Sequence, residues 1–503
     1  MAHQAMQGKS NTAVRKYRIA IVGAGPGGLC MAIKLLAAGF DDLVLLEREA
    51  EVGGTWVNNR YPGLACDVPS VLYSFSFEQK PDWTRSFARQ AEIKIYMRHV
   101  AEKYGVMPYV RFNTRVQSAR WDAAHAHWCL NTDNGETVSA EIFISALGMF
   151  NQIQWPQIPG LDDFDGQILH TALWPEGTML HDRCVAVVGS AASAVQLIPE
   201  VAREARRLSV FQRTANWVMP KEEVVYDDAA LAELRRDPAR AIQARAEHQA
   251  LLEARIVFDK PELLAKAEQA GLQNLAAVND PLTREKLKPT VPLGAQRPLY
   301  SNDYYSSFNL PHVELVSEPI ERLTARGIQT RDGMLREVDT LILATGYAAN
   351  KFLSVIDVTG RDGLHIKQAW EDGPQAYLGI TTSGFPNLFM VYGPNTNNGS
   401  ILTMIEHQAN YIVARLQEMR ARALDWIDVR RDVMDRYNED VQRAIQAVAP
   451  WRTLGSKYYR AASGRVVTQW PHNMAAYEAL TTAGSLDTFE THGGDVSRPS
   501  SAP

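Results

Sequence analysis

Apolar residues in this chain are concentrated in short runs that lead directly into turns of small residues. RIAIVGAGPGG begins at Arg18 and CVAVVGSAASA begins at Cys184. Two further apolar runs, at residues 142–148 and 341–346, end in small residues in the same way. Buried strands that alternate with helices are typical of doubly wound parallel sheets, so the pattern predicts an α/β chain with two such sheets.

The pattern changes between residues 225 and 288, where Ala, Leu, Glu, Arg and Gln dominate. These residues are strong helix formers, so the segment is predicted to be a helical insert. Asp237-Pro238 is predicted to separate one helix from the next, because the residue before a proline avoids the helical conformation. Residues 1–15 and 490–503 are polar without periodicity, and both are predicted to be frayed tails.

The first Gly-rich turn has the residues of a dinucleotide-binding turn: Gly23, Gly25 and Gly28 follow a predicted strand and open a predicted helix. The first glycine makes the tight turn, the second lets the backbone approach a pyrophosphate, and the third allows close helix–strand packing. Glu47 ends the next predicted strand, 24 positions after Gly23, where a carboxylate can accept hydrogen bonds from a ribose 2′-OH. These four residues predict a nucleotide site; a purely structural turn is the alternative.

The second Gly-rich turn departs from this pattern at Ala191, whose methyl group lies where the backbone would approach a pyrophosphate. Arg213 ends the next predicted strand, again 24 positions after the first glycine of its turn. A guanidinium binds a 2′-phosphate, which an acid repels. The contrast predicts FAD at the first site and NADPH at the second, and a solvated surface charge is the alternative for Arg213. The predicted NADPH-binding residues are Gly189, Ser190, Ser193, Arg213 and Thr214. The predicted fold class is therefore α/β, with two Rossmann-like dinucleotide-binding domains and a helical insert.

Composition narrows the class of protein. A chain of 503 residues is expected to form two or three domains. Its net charge of −5 argues against nucleic acid as a partner. The sequence contains no run of about 18 apolar residues, so no membrane span is predicted. The N-terminus lacks the apolar core of a signal peptide, so a cytoplasmic location is expected.

The four cysteines, Cys30, Cys66, Cys129 and Cys184, form no C-x-x-C or C-x4-C pair. This spacing disfavours a thiolate metal site and a redox-active dithiol. All four are expected to be buried, inert thiols. A reduced flavin in this chain is therefore expected to pass its electrons to an acceptor other than a disulfide.

Two further segments carry a family resemblance. Residues 164–175, FDGQILHTALWP, match the pattern F-x-G-x-x-x-H-T-x-x-W-P, and residues 53–67, GGTWVNNRYPGLACD, match G-G-x-W-x4-Y-P-G-x3-D. Both resemble the fingerprints of type I Baeyer–Villiger monooxygenases. The resemblance runs from about residue 17 to residue 480. Within the helical insert it is limited to the helical character of the segment.

The resemblance implies a reaction and a set of residues. Members of this family reduce FAD with NADPH, form a C4a-peroxyflavin with O2, and convert a ketone to an ester or lactone. Arg297 matches the active-site arginine beside the flavin, and Asp67 matches its carboxylate partner. His170 matches the fingerprint histidine, and Trp470 matches a tryptophan near the nicotinamide. Further residues predicted to bind a cofactor are Gly54, Thr55, Trp56, Asp67, Tyr73 and Val116.

The chemistry of these residue types fits the implied roles. Arg keeps its proton, so Arg297 can act as a fixed cation beside a peroxide anion and polarise a carbonyl. The alternatives are a structural ion pair for Arg297, a turn or cap residue for Asp67 and a scaffold histidine for His170. For Trp56 and Trp174, packing is the favoured interpretation.

One departure from the family concerns the nicotinamide. Gln296 precedes Arg297, where the family often has a Lys that helps bind the 2′-phosphate. Together with Ala191, this predicts only a modest preference for NADPH over NADH. Two alternative functions remain open: a monooxygenase that oxidises sulfur or nitrogen, and an NADPH oxidase with little oxygenating activity. The sequence leaves the identity of the ketone and the oligomeric state open.

The predicted domain organisation has five segments. The FAD-binding domain is assigned to residues 1–150 and 381–503, and the NADPH-binding domain to residues 151–224 and 291–380. The helical subdomain is assigned to residues 225–290. The active site is expected where the three meet.

Overall fold

The structure is a computed structural model that describes residues 14–237, 239–256, 258, 260–452 and 458–493. Its strands are β1 (Val14–Val22), β2 (Leu43–Leu46), β3 (Val110–Arg111), β4 (Val116–Asp122), β5 (His127–Thr132), β6 (Thr137–Ser145), β7 (Gln167–His170), β8 (Cys184–Val188), β9 (Arg207–Phe211), β10 (Val218–Met219), β11 (Leu299–Tyr300), β12 (Val313–Val316), β13 (Ile320–Thr324), β14 (Gly327–Thr330), β15 (Leu335–Glu337), β16 (Thr340–Leu343), β17 (Asp357–Thr359), β18 (Leu388–Met390), β19 (Leu424–Val429) and β20 (Phe489–Gly493).

The α-helices are α1 (Pro26–Ala37), α2 (Thr55–Asn58), α3 (Gln90–Lys103), α4 (Ala192–Glu204), α5 (Asp228–Arg236), α6 (Ala239–Ile256), α7 (Pro261–Leu275), α8 (Pro281–Leu287), α9 (Tyr304–Ser307), α10 (Ile366–Ala369), α11 (Ile401–Ala421), α12 (Arg431–Ala447) and α13 (Met474–Thr482). Among the described residues, no helix combines the length and the apolar character needed to cross a membrane.

The first sheet has eight strands in the order β17-β4-β5-β6-β1-β2-β3, and β18 also pairs with β6. Its centre is parallel: β1 pairs with β2 and with β6 in this way. The apolar run at β1 is buried there because helices cover the sheet, as parallel sheets require. The order β3-β2-β1-β6 is that of a dinucleotide-binding fold.

The second sheet has the order β12-β9-β8-β16-β7 and is parallel throughout. It repeats the arrangement of the first sheet, because β8 leads into the second Gly-rich turn and then into α4, and β9 is its neighbour. The prediction of an α/β chain with two doubly wound sheets is confirmed.

The helical insert comprises α5 to α8 and lies between β10 and β11, which pair with each other. The predicted break also occurs, since α5 ends at Arg236 and α6 begins at Ala239. Pro238 itself lies outside the described residues.

The structure corrects three expectations. The tails are shorter than predicted, because residues 14–15 belong to β1 and residues 490–493 to β20, where backbone hydrogen bonds pair polar strands that show no periodicity. The remainder of both predicted tails lies outside the described residues.

The chain rejoins the first sheet at β17, before the boundary predicted at residue 381, because β17 pairs with β4. Cys30 and Cys66 are buried as expected, but Cys129 and Cys184 are only partly buried, because Cys129 lies at one of the alternating, less buried positions of β5 and Cys184 is the first residue of β8.

Candidate active site

One cavity of about 2520 Å³ connects the carboxyl ends of the central strands in the two sheets. Both Gly-rich turns line it, and so do residues of the helical insert. Ligands of open α/β sheets bind at this edge of the sheet. The cavity therefore joins the two predicted nucleotide sites in a single space.

The first turn is built for close backbone approach. Gly23 has a φ of +106°, and a Cβ there would lie 2.6 Å from the Ala146 carbonyl oxygen. A Cβ on Gly28 would lie 1.9 Å from the Gly23 carbonyl oxygen, so the third glycine lets α1 start directly against the turn. A Cβ on Gly54 would lie 2.9 Å from the Cα atom of Gly25, so these two glycines form a shallow cradle at the cavity wall.

The N-terminus of α1 opens towards this cradle. No side chain caps α1, and Gly25 to Gly27 line the cavity. Free backbone N–H groups and the positive end of the helix dipole there suit a pyrophosphate. The residues present therefore fit the dinucleotide that the first turn predicts.

Glu47 lies just after β2 and organises the same turn. Its carboxylate accepts hydrogen bonds from the backbone N–H groups of Ala24 (2.6 Å) and Glu49 (2.9 Å). Burial raises the pKa of Glu47 above its usual value, and the two N–H donors oppose this. Each carboxylate oxygen retains acceptor capacity, and Glu47 lines the cavity, so a ribose hydroxyl can still donate to it.

The second turn has the same geometry. Gly189 has a φ of +126°, and a Cβ there would lie 2.5 Å from the Ala344 carbonyl oxygen. Ala191 has φ −94° and ψ −163°, close to the −75° and −173° of Gly25. The methyl group of Ala191 therefore causes no backbone strain, and its only consequence is the space that it takes up in the cavity that it lines.

Arg213 lies beside this turn, with an exposed side chain that lines the cavity. It forms no hydrogen bond or ion pair with another residue of the described chain. The adjacent Thr214 uses its backbone carbonyl to accept a hydrogen bond from the Ser190 hydroxyl (3.0 Å), and Ser193 lines the cavity nearby. The N-terminus of α4 has no side-chain cap. An uncapped helix start and an available guanidinium fit a dinucleotide that carries a 2′-phosphate.

Arg297 and Asp67 meet in the cavity although they are far apart in sequence. Arg297 Nη2 donates to Asp67 Oδ2 over 2.6 Å, and the two side chains are 35% and 20% exposed. The Asp67 carboxylate holds the pKa of Arg297 well above its usual value, and the guanidinium also hydrogen-bonds to the Tyr458 hydroxyl. Arg297 is therefore a permanent, oriented cation that faces the shared space.

The predicted flavin wall lies next to this pair. Trp56 donates from its indole nitrogen to the Tyr73 hydroxyl over 2.8 Å, and the two rings meet edge to face. Both residues line the cavity together with Gly54, Thr55 and Val116. Trp56 is thus a packing residue that also forms part of the cavity surface.

The structure does not bring His170 into the cavity: it is buried and absent from the described residues that line the space. Its Nδ1 atom accepts from the backbone N–H of Ala172 (3.0 Å), so Nε2 carries the proton and donates to the Thr345 hydroxyl (3.1 Å). Burial lowers the pKa of His170, which keeps the ring neutral. His170 therefore ties the end of β7 to the residues after β16, and the contacts favour the scaffold interpretation.

Trp470 also lies outside the cavity lining. Its side chain is fully buried, and its indole nitrogen donates to the Asn473 carbonyl (3.0 Å). The Trp470 carbonyl accepts from the side chain of Asn398, which does line the cavity. The ring packs into the core against Tyr477. The position of Trp470 near the nicotinamide stays a prediction of the family resemblance.

Sequence reasoning missed several residues that contribute to the cavity. Tyr458 holds Arg297, and Tyr347 donates to the side chain of Asn59 (2.8 Å) at the cavity wall. Phe258 and further residues of the helical insert also line the space. No motif marks these positions, because each becomes important only through a contact with a distant segment. The described residues contain no group of His, Cys, Asp and Glu that could hold a metal ion.

Comparison with known proteins identifies the family. The model of the pyridine nucleotide-disulphide oxidoreductase family matches residues 20–230, although the four cysteines of this chain are free. A Baeyer-Villiger monooxygenase of Pseudomonas aeruginosa is 37% identical over 476 residues, which cover 93% of this chain and 90% of that protein. The FAD-binding monooxygenase ktnD of Aspergillus niger is 35% identical over 482 residues, which cover 92% and 79% of the two chains.

A solved structure with the same fold is that of cyclohexanone monooxygenase from Rhodococcus sp. Phi1 bound to NADP+. It superimposes with a TM-score of 0.86 at 28% identity and covers 96% of this chain and 100% of that chain. The identity to the curated relatives spans nearly the whole chain, and both nucleotide sites have the required geometry. The chain therefore belongs to the Baeyer–Villiger monooxygenase family and is an NADPH-dependent flavoprotein monooxygenase that binds FAD and NADPH.

Proposed function

We propose that this enzyme inserts one oxygen atom of O2 into a ketone and releases an ester or lactone. The observation that carries the proposal is the Arg297–Asp67 pair, which faces the space shared by the two nucleotide sites. Ketone, O2, NADPH and a proton together give ester, water and NADP+. The bound flavin would supply the activation of O2, by the C4a-peroxyflavin route that the family resemblance implies.

Arg297 is proposed to act on the carbonyl group. Its guanidinium keeps its proton at any working pH, since Asp67 raises the pKa of Arg297 further. A fixed cation stabilises negative charge that develops on the carbonyl oxygen when a nucleophilic peroxide attacks. Asp67 is proposed to orient the guanidinium, and Tyr458 to restrict it from the other side.

The cofactors are proposed to divide between the two halves of the cavity. Gly23, Gly25 and Glu47 would hold FAD, with the wall of Gly54, Thr55, Trp56, Tyr73 and Val116 beside the ring system. Gly189, Ser190, Ser193, Arg213 and Thr214 would hold NADPH. His170 is proposed as a positioning residue that ties the end of β7 to the residues after β16 within the NADPH half. The domains follow this division, with the second FAD-binding segment beginning before β17.

The ketone is proposed to lie against the helical insert. Leu251 and Leu252 of α6, Leu263 and Leu264 of α7, and Phe258 between them line the cavity. A carbonyl group offers few polar contacts, so this apolar wall together with the Arg297 cation is a suitable site for a ketone. The insert residues would then select among ketones by shape.

A product screen tests the proposal. The purified enzyme is incubated with NADPH and a panel of cyclic, linear and aryl ketones, and in parallel with thioethers and tertiary amines. We expect esters or lactones by mass spectrometry, with NADPH consumption matched by product. Oxidation of the thioethers or amines alone would identify a heteroatom monooxygenase, and peroxide without product would identify an NADPH oxidase. Either result would refute the ketone proposal.

A further inference from the structure

Helix α6 has a row of polar residues next to the residues that line the cavity. His248, Leu251, Leu252 and Ala254 line the cavity. Arg245, Gln249 and Glu253 recur every four residues, so they lie along one side of the helix. Arg245 and Glu253 contact the part of the chain that contains the first sheet, and Gln249 donates to Glu253 within the helix.

Arg245 is the central contact on this face. Its side chain is only 15% exposed. Its Nη1 atom donates to three backbone carbonyls, those of Val71 (3.1 Å), Leu72 (3.4 Å) and Ser74 (2.7 Å). One guanidinium therefore binds three carbonyls of a turn that itself lines the cavity through Leu72 and Tyr73.

The same guanidinium also contacts α11. Arg245 Nη2 donates to the Thr403 hydroxyl (3.3 Å) and lies 4.0 Å from Glu406 Oε1. The Leu72 carbonyl accepts a second bond from the Ser400 hydroxyl at the start of α11 (3.2 Å). The turn is thus held between α6 and α11, and the charge of Arg245 is balanced by that of Glu406.

The turn that Arg245 holds contains Tyr73. The Tyr73 hydroxyl accepts the indole N–H of Trp56, and both rings line the cavity beside the first Gly-rich turn. A displacement of the carbonyls at Val71, Leu72 and Ser74 therefore moves Tyr73 with them. This connects the position of α6 to the shape of the predicted flavin wall.

A second polar contact lies two turns further along α6. Glu253 Oε2 accepts from the backbone N–H of Met474, the first residue of α13, over 2.8 Å, and Glu253 Oε1 accepts from Gln249. By contrast, Ile242 and Leu251 of α6 are exposed. Arg245 and Glu253 thus attach α6 through charged hydrogen bonds, and removing Arg245 would take this donor from the Val71 and Ser74 carbonyls, while the Leu72 carbonyl keeps the Ser400 hydroxyl.

We propose that Arg245 is a positioning residue that fixes α6 as a wall of the cavity and holds the Tyr73 turn in the geometry required for productive oxygenation. The effect on the oxygen reaction rests on the proposed function, whereas the attachment of α6 does not. The two parts of the proposal therefore need separate measurements.

Hydrogen exchange of the holoenzyme, followed by mass spectrometry, tests the attachment. Arg245→Met removes every donor, Arg245→Lys retains a cation that can bind some of the carbonyls, and Arg240→Met is the control. Arg240 lies on the same helix, but its side chain is 53% exposed and, among the described residues, its ion pairs are those with Glu233 and Asp237. In Arg245→Met we expect the amides of α6 and of residues 70–76 to exchange about tenfold faster, because exchange follows the population of the open form. Arg245→Lys should fall in between, and Arg240→Met should match the wild type.

The second readout is the peroxide released per NADPH consumed with a ketone substrate. We expect this ratio to rise at least about threefold in Arg245→Met and less in Arg245→Lys, since a displaced wall admits water to the site. Exchange at α6 that is unchanged in Arg245→Met, or accelerated equally in all peptides, would overturn the attachment. Faster exchange with an unchanged peroxide ratio would overturn the positioning role.

If Arg245→Met does not fold, Arg245→Lys and Thr403→Val decide by the same two readouts. A wild-type enzyme that makes no ester from any ketone would refute the proposed function and leave the exchange result intact.

Discussion

Replacement of Asp67 by Asn is the perturbation that most directly probes how Arg297 is oriented. Asn has the volume of Asp and keeps one acceptor oxygen, but it carries no charge. The bond from Arg297 Nη2 would persist as a neutral-acceptor hydrogen bond in place of a charge-assisted one of 2.6 Å. The substitution therefore weakens the constraint on the guanidinium without opening a cavity.

The magnitude follows from the burial of the pair. Fully exposed ion pairs contribute about 0–1 kcal/mol, and breaking a buried pair costs about 3–5 kcal/mol. With 35% of Arg297 and 20% of Asp67 exposed, this pair lies between those limits. A charged hydrogen bond is worth about 1.5–3 kcal/mol, which corresponds to about 10- to 150-fold in rate. We expect kcat/KM for ester formation to fall within that range.

Stopped-flow absorbance separates the two halves of the reaction. Anaerobic flavin reduction by NADPH should change less than about threefold in Asp67→Asn, because Asp67 contacts Arg297 and not the NADPH turn. Glu314→Gln is the control, since it weakens an ion pair of 2.9 Å between Glu314 of β12 and Arg336 of β15, neither of which lines the cavity. Ester formation at the wild-type rate in Asp67→Asn, or an equal loss in Glu314→Gln, would refute the reasoning.

Three further predictions concern the two nucleotide sites and the stability of the fold. Gly28→Ala places a Cβ 1.9 Å from the Gly23 carbonyl oxygen, so we expect the protein to lose about 2 kcal/mol or more of stability and to lose bound FAD. Flavin absorbance after gel filtration measures the bound FAD, and full FAD content would contradict the turn geometry. Arg213→Ala should raise the KM for NADPH about tenfold and leave that for NADH unchanged, measured by flavin reduction; equal use of both nicotinamides by the wild type would argue against a 2′-phosphate contact. Burial raises the pKa of Asp428 from 3.8 to about 7, so between these pH values the folded state holds a proton that the unfolded state has released. The wild type should therefore lose up to about 4 kcal/mol of stability relative to Asp428→Asn as the pH rises from about 4 to about 7. Urea unfolding of both proteins across this range measures the difference, and parallel curves would contradict it.

The two nucleotide turns could be predicted from the sequence because their requirements are local. Gly23 and Gly189 each have a positive φ and lie close to a backbone carbonyl, which favours glycine, and the adjacent residues predict the flanking strand and helix. Glu47 and Arg213 follow at a fixed spacing. Fold class, cofactors and helical insert could therefore be derived from short segments of the chain.

Other features could not be derived in this way because they depend on contacts between distant segments. Asp67 and Arg297 could be associated only through the family resemblance, since 230 positions separate them. The fingerprint identified His170 but carries no information on its contacts, and the structure places its ring behind Thr345 and Trp155, which line the cavity. Arg245 is one of several arginines in the insert, and its partners are backbone carbonyls, which no residue type identifies in the sequence.

The central claim is that the enzyme inserts oxygen from O2 into a carbonyl compound with the assistance of Arg297. Turnover of a ketone panel under 18O2, with the wild type and with Arg297→Ala, tests this most directly. We expect the wild type to give an ester or lactone that contains one atom of 18O, and Arg297→Ala to consume NADPH without forming that product. An ester that lacks 18O, no ester from any ketone, or labelled ester from Arg297→Ala at the wild-type rate would contradict the account.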